Sequence, residues 1–137
     1  MRAQRPLEGP LATAITRLVT TLDPAAIVVF GSRATDRGTP SSDHDVAVLL
    51  ASPSPDLQRM LTLRLDLEEI LGTDVDLVVL DDASPILAMQ VLREGRLLAC
   101  RDPEALEGFT VKTLTDYADL KTIRAPVERR LLEVRRQ

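Results

Sequence analysis

Apolar residues recur at helical spacing from Leu7 to Leu22 (Leu11, Ile15, Leu18, Val19, Leu22). The Asp23-Pro24 pair ends that run, because a residue before proline is pushed out of the helical region. "AAIVVFG" follows as a short β-branched run closed by glycine, the pattern of a buried strand entering a turn. Residues 35–42, "TDRGTPSS", form a loop, and "HDVAVLL" is a second strand ended by "ASPSP". From Asp56 to Leu71 leucines occupy more than half the circumference of a helix, which predicts a well-buried element with Gly72 as its C-cap. "VDLVVL" is a third strand. In "DDASPILAMQVLREG" a capping serine, Ser84, precedes a proline at the first helical position, and a glycine closes the helix. "RLLAC" predicts a short strand returning to the sheet edge. Leu106, Phe109, Thr113, Tyr117 and Leu120 mark a last helix from Pro103 to about Arg124, which Pro126 is expected to interrupt or restart.

Helices and strands alternating around short loops predict an α/β sandwich whose three central strands carry any site at their ends. At 137 residues the chain closes one core. The pattern divides it into a domain over 1–102 and a helical extension over 103–137, packed on that domain or on a partner. No apolar run approaches the roughly 20 residues of a spanning helix, and no apolar segment follows the N-terminal arginines, so a cytoplasmic protein without membrane contact is expected. The lone Cys100 rules out an internal disulfide, and the lone His44 rules out a His/Cys zinc site, so any bound metal needs oxygen ligands. Residues 35–109 carry 6 basic and 15 acidic side chains, whereas 110–137 carry 7 basic and 4 acidic. An acidic body of this kind argues against direct nucleic-acid binding.

The chemistry gathers in "GSRATDRGTPSSDHD", Gly31 to Asp45. Side chains alternate along a strand, so Asp43 and Asp45 point one way and His44 the other. The same period places Asp74 and Asp76 on one face of the third strand, and either can complete a cluster if the two strands are neighbours. Like charges held together repel by several kcal/mol unless a cation lies among them. Oxygen donors suit Mg²⁺ or Mn²⁺. Gly31 leaves no side chain to block a phosphate, and Ser32 offers a hydroxyl and an N–H where a short helix begins. Neither a Walker A loop nor a G-x-G-x-x-G fingerprint is present.

Gly31-Ser32, ten intervening residues, Asp43-His44-Asp45 and a later strand carboxylate together resemble the DNA polymerase β-like nucleotidyltransferase superfamily. Its G-S-x10-D-x-D motif is matched without a gap. Val75-Asp76-Leu77-Val78 and Leu92 to Leu98 ("LREGRLL") extend the likeness, over residues 27 to about 100, to its minimal nucleotidyltransferase (MNT) group. The resemblance implies a nucleotidyltransferase fold, a small mixed central sheet flanked by helices. It also implies two Mg²⁺ ions held by Asp43, Asp45 and Asp76, with Asp76 helping to activate the acceptor hydroxyl. Gly31 and Ser32 would hold the triphosphate of ATP, and Arg33, next in the chain, is a candidate for a further phosphate contact that the resemblance does not itself assign. Asp76 rather than Asp74 occupies the family position. MNT proteins of this kind are similar to antitoxins paired with HEPN-domain ribonuclease toxins, so the implied reaction is transfer of AMP to a toxin tyrosine, within a hetero-oligomer. Two other readings remain: nucleotidylation of a small aminoglycoside-like molecule, and a module that blocks its toxin without chemistry.

Blander roles fit several residues. "SSDHD" alone is also a solvated turn. Asp81 and Asp82 flank a helix N-terminus favourably. His44 and Cys100 receive no role, and Phe109 and Tyr117 fit the core, with a partner-docking face as the alternative. Ile123, Val127, Leu131 and Val134, set among arginines, form a stripe that either covers the domain or meets an acidic partner.

Overall fold

The computed structural model describes residues 2–3, 8–31 and 43–136, with the backbone alone given for 2–3, 123–129 and 131–136. In chain order the elements are β1 (Arg2–Ala3), α1 (Gly9–Leu22), β2 (Ala26–Phe30), β3 (His44–Leu49), α2 (Leu57–Leu71), β4 (Val75–Val79), a single 3-10 turn (Leu80–Asp82), α3 (Pro85–Glu94), β5 (Arg96–Cys100) and α4 (Pro103–Arg136). The five strands form one mixed sheet in the order β1-β5-β2-β3-β4. β2 pairs antiparallel with both β3 and β5, while β3 and β4 run parallel through the α2 crossover.

Burial of β2 on both sides explains its unbroken apolar run, since helices cover each face of the sheet. On one face Ala14 and Leu18 of α1 and Leu63 and Leu67 of α2 pack against Ile27, Val46 and Val48. On the other, Val91 of α3, with Leu106 and Phe109 of α4, packs against Val28, Phe30, Ala47 and Leu49. Among the described residues no helix is long and apolar enough to cross a membrane.

Local signals account for the boundaries. Asp56 caps α2 through its carboxylate, which accepts from the Arg59 N–H at 2.8 Å, and Gly72 ends the helix at φ 73°. Ser84 caps α3 by accepting from Leu87 N–H at 3.2 Å. Gly95 ends α3 for a different reason, because its φ of −71° is open to any residue. A Cβ there would stand 2.3 Å from the Val91 carbonyl oxygen and 2.5 Å from Val28 Cγ1 in the sheet core. Gly95→Ala is therefore expected to cost about 1–3 kcal/mol by overpacking, read as a lower urea midpoint at unchanged m-value.

Three expectations need correction. "RLLAC" lies beside β2 with the two-residue β1 on its outer side, so β1 and β4 hold the edges; two residues are too short to leave a pattern in the sequence. α2 is not well buried, because the sheet layer covers one side of a helix. Leu57, Leu61 and Leu65, at successive intervals of four, face outward at 75%, 43% and 58% exposure. Finally, α4 stays helical across Pro126 as one 34-residue element. Proline fixes φ within the helical range, so a helix can pass through it at the cost of one hydrogen bond and of crowding against the carbonyl four residues back.

Candidate active site at the Gly31 end of the sheet

Strand register assembles the site. Phe30, the last residue of β2, pairs with Asp45 of β3, and Asp45 pairs in parallel register with Asp76 of β4. Residues in register share a face, so both carboxylates lie on the α3/α4 side, two positions before Ala47 and Val78 of that core. Asp43, two residues ahead of Asp45, is placed on the same side. Asp43 and Asp76 are exposed, whereas Asp45 is half-buried. That burial, together with the adjacent charges of Asp76 and then Asp43, pushes the Asp45 carboxyl above its ordinary value.

Gly31 completes the floor. It follows Phe30 at φ 72°, and a Cβ at this position would stand 2.2 Å from Asp45 Oδ2. The backbone of β2 therefore approaches the carboxylate so closely that only a hydrogen fits between them. Ser32 and Arg33, expected beside Gly31 at the phosphates, lie outside the described residues.

The N-terminal end of β3 is pinned from behind. His44 is buried on the opposite face, its Nδ1 sharing a 2.7 Å hydrogen bond with Thr73 Oγ1, while its N–H donates to the Asp74 carbonyl at 2.9 Å. Glu68 in the last turn of α2 accepts from the Val75 N–H at 3.1 Å and so fixes the start of β4. These anchors hold the backbones of residues 43–45 and 74–76 side by side. No pattern in the sequence announces Thr73 or Glu68 in this part. The two candidates for the third carboxylate separate here: Asp76 is the register partner of Asp45, while Asp74 precedes the strand and is not among the charges acting on Asp45.

All the donors are carboxylate oxygens, the set that hard divalent cations take. In their present rotamers no three His, Cys, Asp or Glu side chains among the described residues stand close enough to hold a metal ion. Asp76 and Asp43 nevertheless stand near enough for their charges to act on the Asp45 carboxyl. Backbone register is the firmer guide, because exposed carboxylates turn about two torsions to reach a cation while their Cα positions stay fixed.

Other polar clusters stand elsewhere. Asp81 accepts from the N–H groups of Leu50 and Ala51 at 2.8 and 2.9 Å, and Asp82 from Ser54 at 3.2 Å, tying down the turn after β3. A cavity of about 420 Å³ lies at that far end, between Leu49, Leu80, Asp81 and Phe109, and contains none of the three site carboxylates.

Gly31, Asp43, Asp45 and Asp76 thus come to one end of three adjacent strands, and the G-S and D-x-D motif they belong to is that of the polymerase β-type nucleotidyltransferases. The chain belongs to that family: residues 13–104 match the polymerase beta nucleotidyltransferase family along most of the domain. It is 36% identical over 101 residues to the protein adenylyltransferase MntA of Shewanella oneidensis, covering 74% of this chain and 71% of that protein. A crystal structure of a toxin-antitoxin with AMP-PNP matches with TM-score 0.75 at 32% identity over 88% of this chain and 97% of that one. The structure of a tri-AMPylated Shewanella oneidensis HEPN toxin in complex with MNT antitoxin matches with TM-score 0.74 at 30% identity, over 90% and 96% of the two chains.

Proposed function

We propose that this nucleotidyltransferase is an antitoxin that moves AMP from ATP to a tyrosine hydroxyl of a cognate HEPN-domain toxin and so neutralises it. The pairing of Asp45 with Asp76 beside Gly31 carries this reading, because carboxylates gathered at one strand end are the ligand set that a metal-bound triphosphate calls for. The likeness to the adenylyltransferase MntA, and to complexes described as holding an AMPylated HEPN toxin, supports AMP as the group and a protein as the acceptor.

In this reading Asp43, Asp45 and Asp76 hold Mg²⁺, which when bound supplies charge neutralisation of the triphosphate and polarisation at the α-phosphorus. The chain's own residues do the rest. Gly31 lets the triphosphate approach the β2 backbone, with Ser32 and Arg33 as further phosphate contacts. Asp76, exposed at its strand end, accepts the proton of the acceptor hydroxyl. The hydroxyl oxygen bonds to the α-phosphorus, the bond from that phosphorus to the oxygen bridging toward the β-phosphate breaks, and pyrophosphate leaves. Asp45, half-buried and flanked by like charges, is the carboxylate whose charge most needs a cation beside it.

The test is co-expression with the cognate HEPN-domain toxin, followed by intact-mass analysis of that protein. A gain of one or more AMP units with wild type, lost with an Asp43→Asn/Asp45→Asn variant, is the expected result. An unmodified toxin that copurifies equally with both would replace catalysis by blockade. Turnover of aminoglycosides with no labelled protein would move the acceptor to a small molecule.

A further inference from the structure

Charge is segregated along the chain. Residues 1–120 carry 11 basic and 19 acidic side chains, a net of −8, whereas 121–137 carry 6 basic and 2 acidic, a net of +4. The structure shows where the change falls. Tyr117, the only tyrosine of the chain, is half-buried on α4, and two cations meet on its ring. The Arg93 guanidinium carbon, from α3, stands 5.2 Å from the ring centroid, and the Lys121 ammonium, one turn along α4, stands 5.7 Å away. Both distances fall within the roughly 6 Å over which a ring quadrupole attracts a cation. Two long, exposed cationic side chains are thereby each drawn toward one ring.

Their position relates them to the carboxylates. Arg93 lies two residues before Gly95, which abuts Val28, and the next residue, Arg96, pairs with Val29. The cationic pair therefore stands at the Gly31 end of the sheet, in the helical layer that covers the face bearing Asp45 and Asp76. Beyond Lys121 the helix runs fifteen residues further to Arg136, about 23 Å at 1.5 Å per residue. Lys121, Thr122 and Arg130 on this stretch are exposed.

We propose that Arg93 and Lys121, arrayed on Tyr117, are the docking surface for the acceptor protein, and that they select a partner with an acidic patch beside the hydroxyl to be modified. This rests on the transfer reaction proposed above. Cations pre-arranged beside an acidic centre fit a partner whose negative charge is local and ends where the carboxylates begin. A nucleic acid, uniformly anionic, would meet a body of net −8 along the rest of its length. Fixing the two side chains on the ring also removes part of the ordering cost of binding. Exposed complementary charges of this kind act mainly on encounter rate, with strong salt dependence.

The experiment uses the full chain, with its cognate HEPN-domain toxin as acceptor, and an Arg93→Gln/Lys121→Glu variant whose thermal melt matches wild type. At about 50 mM salt, KM for the acceptor protein should rise about tenfold, with kcat and KM for ATP unchanged. The gap should close near 0.5 M salt, where screening acts over about 4 Å. Tyr117→Phe, which keeps the ring, should behave as wild type. A rise in KM for ATP instead would assign the pair to phosphate binding and overturn the proposal, as would unchanged kinetics, or competition by RNA that the variant abolishes. If wild type transfers nothing to the HEPN protein, the Kd of the two proteins decides separately: a tenfold weaker complex with the variant upholds the docking surface without the chemistry, and an equal Kd overturns it.

Discussion

Gly31→Ala should lower nucleotidyl transfer at least 100-fold in a protein that still folds. The methyl group would stand 2.2 Å from Asp45 Oδ2, so either the carboxylate rotates out of the site or the β2 backbone withdraws. A displacement near 1 Å at a reacting centre commonly costs about that factor. The backbone adds its own penalty, since an L-residue at φ 72° is disfavoured by about 1–2 kcal/mol. The two consequences are read separately, kcat/KM from transfer and the folding cost from urea denaturation. Near-wild-type turnover would mean that Asp45 does not work from the position it occupies beside Gly31.

Asp45→Asn should abolish transfer and at the same time make the metal-free protein more stable. The folded state raises the Asp45 carboxyl through burial and the adjacent Asp76 and Asp43 charges. A raised carboxyl contributes stability that is present below its ordinary value and lost as pH rises through the folded value. At neutral pH the charged form is therefore a burden that an amide lifts. The relief should read as a higher Tm in chelator, small because solvent still screens a partly exposed carboxylate. Added Mg²⁺ should raise the Tm of wild type and leave the variant nearly unmoved, a readout independent of turnover. Asp76→Asn should follow the same pattern in weaker form, whereas Asp74→Asn should leave both transfer and the Mg²⁺ response intact. A lower Tm for Asp45→Asn in chelator would show that its carboxylate is a favourable partner in the fold rather than a strained one.

The strands that build the site were readable because each is a short β-branched run closed by a turn, and because a period of two places Asp43 and Asp45 on one face. What periodicity does not contain is which strands become neighbours. Asp74 and Asp76 share that period, and it is Asp76 that pairs with Asp45 and acts on its charge. The burial of α2 failed for a related reason. Leucines spread around a helix record apolarity on all sides, while the sheet accepts one side, leaving Leu57, Leu61 and Leu65 outward. Thr73 and Glu68 were silent because each acts through one hydrogen bond to a distant strand end, and a single polar residue in a turn or last helical turn has no signature. Pro126 reads as a break in the sequence, yet its fixed φ lies within the helical range and α4 continues through it.

β3 is bordered by β2 on one side and β4 on the other, so its amides and carbonyls are engaged in both ladders. A strand bonded on both edges in the middle of a buried sheet exchanges its amide hydrogens mainly when the whole domain opens. The carboxylate with the most perturbed charge thus rides on the slowest-opening part of the molecule, and its lifetime in position is that of the fold itself.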